Sequence, residues 1–109
     1  MYSKTERTLD VYKRAGAAMR LFKEVFVRMY VAADKILPAA EADKLYRMQR
    51  QFDKICSNAE DRMFLEHRGL DYDYVYVFYG NLQDTPHNDV NAESIELARS
   101  LVKEIFKEK

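Results

Sequence analysis

The chain has 109 residues, 48% of them apolar and 33% charged, which fits one domain with its own core and excludes a disordered or membrane-embedded composition. Eighteen basic side chains balance eighteen acidic ones, which argues against the strongly basic domain typical of nucleic-acid binders. Cys56 is the only cysteine, so no intramolecular disulfide forms, and neither the polar start Met1–Arg7 nor any later run has the apolar length of a leader or a membrane span; the expected location is cytoplasmic.

The zero net charge hides a polarity. Residues 1–68 carry 14 basic and 10 acidic side chains, residues 69–109 carry 4 and 8. That asymmetry can orient self-association or a charged partner.

With three glycines and two prolines, the elements are expected to be long. A first helix is expected from about Thr5 to Ile36, opened by Ser3 and Glu6 at capping-box spacing. Its apolar stripe is Tyr12, Ala15, Met19, Phe22, Phe26, Met29 and Ala33, with a period near 3.5. Gly16 inside it costs about 1 kcal/mol relative to Ala, which a close crossing there would explain.

Pro38 ends this helix and suits the start of the next, which is expected to reach His67 with the stripe Leu45, Met48, Phe52, Ile55, Ala59 and Met63. The short connection makes the two helices antiparallel neighbours, and Gly69 suits the residue after the second. Residues 70–80 are rich in β-branched and aromatic side chains, which favours a strand. No second strand exists for it to pair with, so a short Tyr-rich helix capped by Asp71 and closed by Gly80 is the better expectation. A loop over Asn81–Asp89 then leads into a last helix, about Val90 to Lys107, capped by Asp89 or Asn91, with Ile95, Ala98, Val102, Ile105 and Phe106 on its apolar side. The expected fold is all-α: one domain over 1–109, an antiparallel bundle of three long helices and one short one.

Few residues carry chemistry. Neither His67 nor His87 has a glutamate three residues before it, as di-iron bundles require, and the isolated glycines build no phosphate cradle; no metal and no cofactor are expected. Cys56 beside an apolar stripe reads as a small core residue. Arg62-Met63-Phe64-Leu65-Glu66-His67 resembles, over six residues, the Arg-four-residues-His motif of HEPN-type ribonucleases, although Met63 stands where a polar residue usually follows the Arg. The resemblance implies that Arg62 and His67 of paired protomers form a composite RNA-cleaving site. Residues five apart on an unbroken helix do not share a face, so this requires the helix to end before His67.

Basic residues on the first two helices, Arg20, Arg47, Arg50 and Lys54 foremost, offer phosphate contacts that do not read sequence. The crowded aromatics Tyr72, Tyr76, Phe78 and Tyr79 suit an interface, because tyrosine joins a large apolar body to a polar tip. The leading expectation is a non-enzymatic helical interaction module, a homo-oligomer with the dimer favoured, or a subunit for another protein. The ribonuclease and nucleic-acid readings stand as alternatives.

Overall fold

The structure is a computed structural model that describes residues 1–83 and 85–107; Asp84, inside the expected loop, lies outside the described residues. Three α-helices and one 3₁₀ helix follow in the order α1 (Leu9–Ala33), α2 (Ala39–Glu66), the 3₁₀ helix Tyr72–Val77 and α3 (Asp89–Ile105). No strand occurs among the described residues. The fold is an all-helical bundle of three long elements and one short one.

The first helix starts later than its sequence signal. Ser3 and Glu6 do meet, the Ser3 N–H donating to Glu6 Oε1 at 3.0 Å, but they close a separate turn. Thr8 is the true cap: its hydroxyl accepts from the Val11 N–H, and Asp10 in the first turn suits the helix dipole. At the far end α1 stops at Ala33 rather than Ile36. Residues 34–37 tighten into a turn in which Ile36 and Leu37 both donate to the Ala33 carbonyl, just before Pro38.

α2 begins as expected, with Pro38 as its cap residue, and ends at Glu66. His67 leaves helical geometry at φ −119° while its N–H still donates to Met63 O. Gly69 adopts φ +92°, two residues beyond His67 rather than directly after the cap. Asp71 caps the 3₁₀ helix by accepting from the Asp73 N–H, and Gly80 follows at φ +116°. For α3 the cap is Asn88, which accepts from the Asn91 N–H at 2.8 Å; neither Asp89 nor Asn91 takes that role.

α1 is the central element. It packs on α2, on α3 and on the 3₁₀ helix, while α2 and α3 share no comparable contact. α1 and α2 run antiparallel, since Lys23 pairs with Asp53 near mid-length and Arg7, just before α1, pairs with Glu66 at the end of α2. The core gathers Tyr12, Met63, Val77 and Phe78, each under 8% exposed, with Leu9, Met19, Phe64 and Leu70 packed around them. The crossing expected at Gly16 is made by the 3₁₀ helix: a Cβ on Gly16 would lie 2.6 Å from Val77 Cγ1 and against the Val77 carbonyl. Cys56 is fully buried.

The buried face of α1 is rotated from the expected stripe. Tyr12, Gly16, Ala17, Arg20 and Phe26 are buried, whereas Ala15, Phe22 and Met29 of the stripe are exposed. On α2 the same holds for Met48 and Ile55, on α3 for Val102 and Ile105, and just past α3 for Phe106. The apolar pattern is therefore wider than the core that one chain builds.

Candidate functional site

The Arg62–His67 motif lies where the N-terminal segment meets the end of α2. Because α2 stops at Glu66, His67 is off the helix, as the motif's geometry requires. Its ring is engaged with its own chain: Nε2 lies 2.8 Å from the Arg7 carbonyl oxygen, and the ring meets Tyr12 edge-on at 5.7 Å. Beside it the Arg7 guanidinium grips the Glu66 carboxylate through Nε and Nη2, and the Tyr12 hydroxyl donates to the same carboxylate. These donors, Arg7 first and Tyr12 second, hold the Glu66 carboxyl at about 2, well below its ordinary value. Burial and the adjoining carboxylate push the Tyr12 hydroxyl up. Arg62 is exposed, and with Arg7, Tyr12, Asn58 and Ala59 it lines a shallow cavity of about 280 Å³. The arrangement clasps residues 1–8 onto α2.

The tyrosine-rich segment turns largely inward. In 3₁₀ geometry three residues make a turn, so side chains spread over three directions rather than the two faces of an α-helix. Phe78, just past the helix, is 1% exposed and belongs to the core. The Tyr76 ring stacks on His87 at 5.4 Å, and the Tyr79 ring receives the Lys23 ammonium at 4.8 Å from its centre. Tyr72 alone of the four candidate interface residues stands free, 82% exposed.

Of the candidate phosphate ligands, Arg20 lies in the interior, 2% exposed. Arg47 pairs with Asp43 at 2.7 Å, Arg50 lies over the Tyr46 ring, and Lys54 is exposed. On α1, Lys13, Arg14, Lys23 and Arg28 each pair with a carboxylate. The basic stripes of the sequence are thus mostly matched by acids of the same chain. Among the described residues no group of three His, Cys, Asp or Glu side chains gathers to hold a metal ion, and no helix is long and apolar enough to cross a membrane.

One exposed apolar surface lies on the α1–α2 hairpin. Phe22 and Phe26 from α1 and Phe52 from α2 interleave, with Phe22 ring centres 5.7 Å from Phe26 and 4.8 Å from Phe52. With Met48, Gln51 and Ile55 they line an open cleft of about 200 Å³. Phe22, Met48 and Ile55 each keep half or more of their surface in water, and Val25 and Met29 extend the exposed apolar surface of α1. Among the described residues the cleft is lined by side chains of α1 and α2 alone, with no third layer over it.

Protein-family models, curated proteins and solved structures contain no match to this chain. The geometry alone carries the functional argument. Two features escaped the sequence. The Arg7–Glu66 clasp joins residues 59 apart and left no local signal. Arg20 did leave one: it follows Tyr12 and Gly16 at steps of four, on the face that is buried.

Proposed function

We propose that the chain is a non-enzymatic helical interaction module that pairs with a second copy of itself through the open face of the α1–α2 hairpin. The observation that carries this reading is the cleft of Phe22, Phe26, Met48, Phe52 and Ile55, an aromatic and aliphatic surface lined, among the described residues, by two antiparallel helices alone. Two such hairpins laid face to face make a four-helix bundle, the standard way for paired helices to bury both apolar stripes. The charges near the cleft favour a like partner over a highly charged one. Lys23–Asp53, Arg28–Glu24, Lys44–Glu41 and Arg47–Asp43 are already matched within the chain. A stable interface of this kind buries more than roughly 1,000 Å² in total.

Light scattering coupled to size exclusion tests the proposal. The wild type is expected to run as a dimer, and Phe22→Ser with Ile55→Ser as a folded monomer of unchanged helical content. A monomeric wild type across concentrations, or a dimer that survives both substitutions, overturns it.

A ribonuclease reading has one observation in its favour, the end of α2 at Glu66, which frees His67 from the helical direction of Arg62. It ranks second because the His67 ring is engaged with the Arg7 carbonyl. Cleavage of single-stranded RNA by wild type and His67→Ala decides it: equal activity, or none in either, ends the idea.

A further inference from the structure

The exposed stripe of α2 reads alike from both ends. Met48, Gln51 and Ile55 line the open cleft, and Asn58 and Arg62 line the neighbouring cavity on the same seam with α1. Lys44 and Glu41 continue the stripe toward the start of the helix, and all of these side chains are exposed. Their alternating steps of three and four residues put them on one side of the helix, the spacing of a coiled-coil seam.

The order is symmetric in chemistry about Gln51. Apolar Met48 mirrors apolar Ile55, and Glu41 mirrors Arg62. Lys44 mirrors Asn58, whose amide oxygen accepts from an ammonium. Glu41 holds Lys44 through Oε1 at 3.3 Å, which leaves Oε2 for a second cation.

α1 repeats the pattern on its open side. Phe22 mirrors Val25, and small Ala18 mirrors large Met29, about a centre between Lys23 and Glu24. The centres of the two helices lie at one height. Phe22 meets Phe52 at 4.8 Å and Lys23 pairs with Asp53 at 2.9 Å, which sets the middle of the α1 pattern level with the middle of the α2 pattern. A single two-fold axis across the face at this height serves both helices. It brings each residue of the face against its mirror position in a second copy, as a self-complementary interface requires.

We propose, resting on self-association through the hairpin, that the two-fold axis of the dimer passes at Gln51. Each α2 then runs antiparallel to the partner's α2, and Gln51 meets its own copy. A primary amide carries both donors and an acceptor, so two of them face to face satisfy one another. Among the described residues Gln51 is the one polar side chain in the lining of the cleft. A lone amide in an apolar seam fixes register and oligomeric state at a cost in stability. In this register Met48 packs on the partner's Ile55, Arg62 reaches the partner's Glu41, and Ala18 leaves room for the partner's Met29. Arg47 comes beside the partner's Lys54 at the rim, where Asp43 already matches Arg47 at 2.7 Å and salt screens the pair.

Gln51→Glu and Gln51→Lys test the register, each alone and the two mixed in equal amounts, by light scattering coupled to size exclusion. Gln51 is exposed in the single chain, so both variants are expected to keep wild-type helical content by circular dichroism. Like charges meeting at the axis lower the self-affinity of each by at least about a hundredfold, and each alone runs as a monomer. The mixture restores the dimer, because opposite charges then face each other. Direction is read from Arg62→Glu, which weakens the dimer about tenfold, and from Glu41→Arg added to it, which restores the affinity. A monomeric wild type overturns the self-association reading, and this proposal with it. A dimeric wild type whose Gln51 variants stay dimeric alone, or stay monomeric when mixed, overturns the register and leaves self-association standing. A double variant no tighter than Arg62→Glu does the same.

Discussion

The rings of Phe22 and Phe52 meet at 4.8 Å across the α1–α2 seam, yet Phe22 remains half exposed. The seam is thus sealed on its inner side and open on its outer side. Residues on the two sides should respond differently to truncation, and that difference separates folding from association.

Phe22→Ala is expected to cost about 1 kcal/mol of monomer stability, because half of its surface is already in water. Phe78→Ala, at 1% exposure among Tyr12, Met63 and Val77, is expected to cost about 3–5 kcal/mol. Urea unfolding at low protein concentration measures both. Equal losses would place Phe22 in the core after all.

Gly16→Ala reverses the usual sign of a helix substitution. Propensity alone predicts a gain of about 1 kcal/mol. The new methyl group enters Val77, with backbone carbonyl and Cγ1 both in the way, and overpacking of this kind costs about 1–3 kcal/mol. The expected outcome is a lower unfolding midpoint. A higher one would mean that the 3₁₀ helix yields without cost.

The cap of α3 gives a third test. Asn88→Ala removes the acceptor for the Asn91 N–H and is expected to cost about 1 kcal/mol. Asp89→Ala leaves that bond in place and is expected to cost less. Thermal unfolding of the two variants side by side distinguishes Asn88 from Asp89, one of the two caps expected from the sequence.

Acid should undo the N-terminal clasp. The folded Glu66 carboxyl sits at about 2, against an ordinary 4.5, held there by the Arg7 guanidinium and then the Tyr12 hydroxyl. A folded value below the unfolded one means that the unfolded chain binds more protons. The clasp therefore stabilises fully above about pH 4.5, and this contribution drains away as the pH falls toward 2. Urea midpoints of wild type and Glu66→Gln are expected to differ near neutral pH and to converge across that range. A gap that stays constant with pH would show that Glu66 acts through packing alone.

Local chemistry was legible in the sequence wherever one residue type had one job. Pro38 marked the turn between α1 and α2, Asp71 capped the short helix, and Cys56 beside an apolar stripe is a core residue. Where several residues compete, the signal was ambiguous. Ser3 and Thr8 both suit a cap, and Ser3 closes a separate turn while Thr8 caps α1. Asn88, Asp89 and Asn91 are equally good caps by type. The buried contact of Asn91 with Arg20 takes it out of that competition. The apolar stripe failed for a different reason: Phe22, Met48 and Ile55 belong to the pattern but not to the core of one chain. Periodicity reports what a helix can bury, and not whether a partner or its own fold does the burying.

Cys56 is sealed at the middle of α2, and it is the chain's one sulfhydryl. Burial also pushes its thiol up, away from the reactive thiolate. A thiol reagent reaches it only when the helices part, so the rate of labelling reads the opening of the hairpin directly. The protein carries a built-in clock for its own breathing, free of any engineered probe, and that clock slows about tenfold for every 1.4 kcal/mol that holds the hairpin shut.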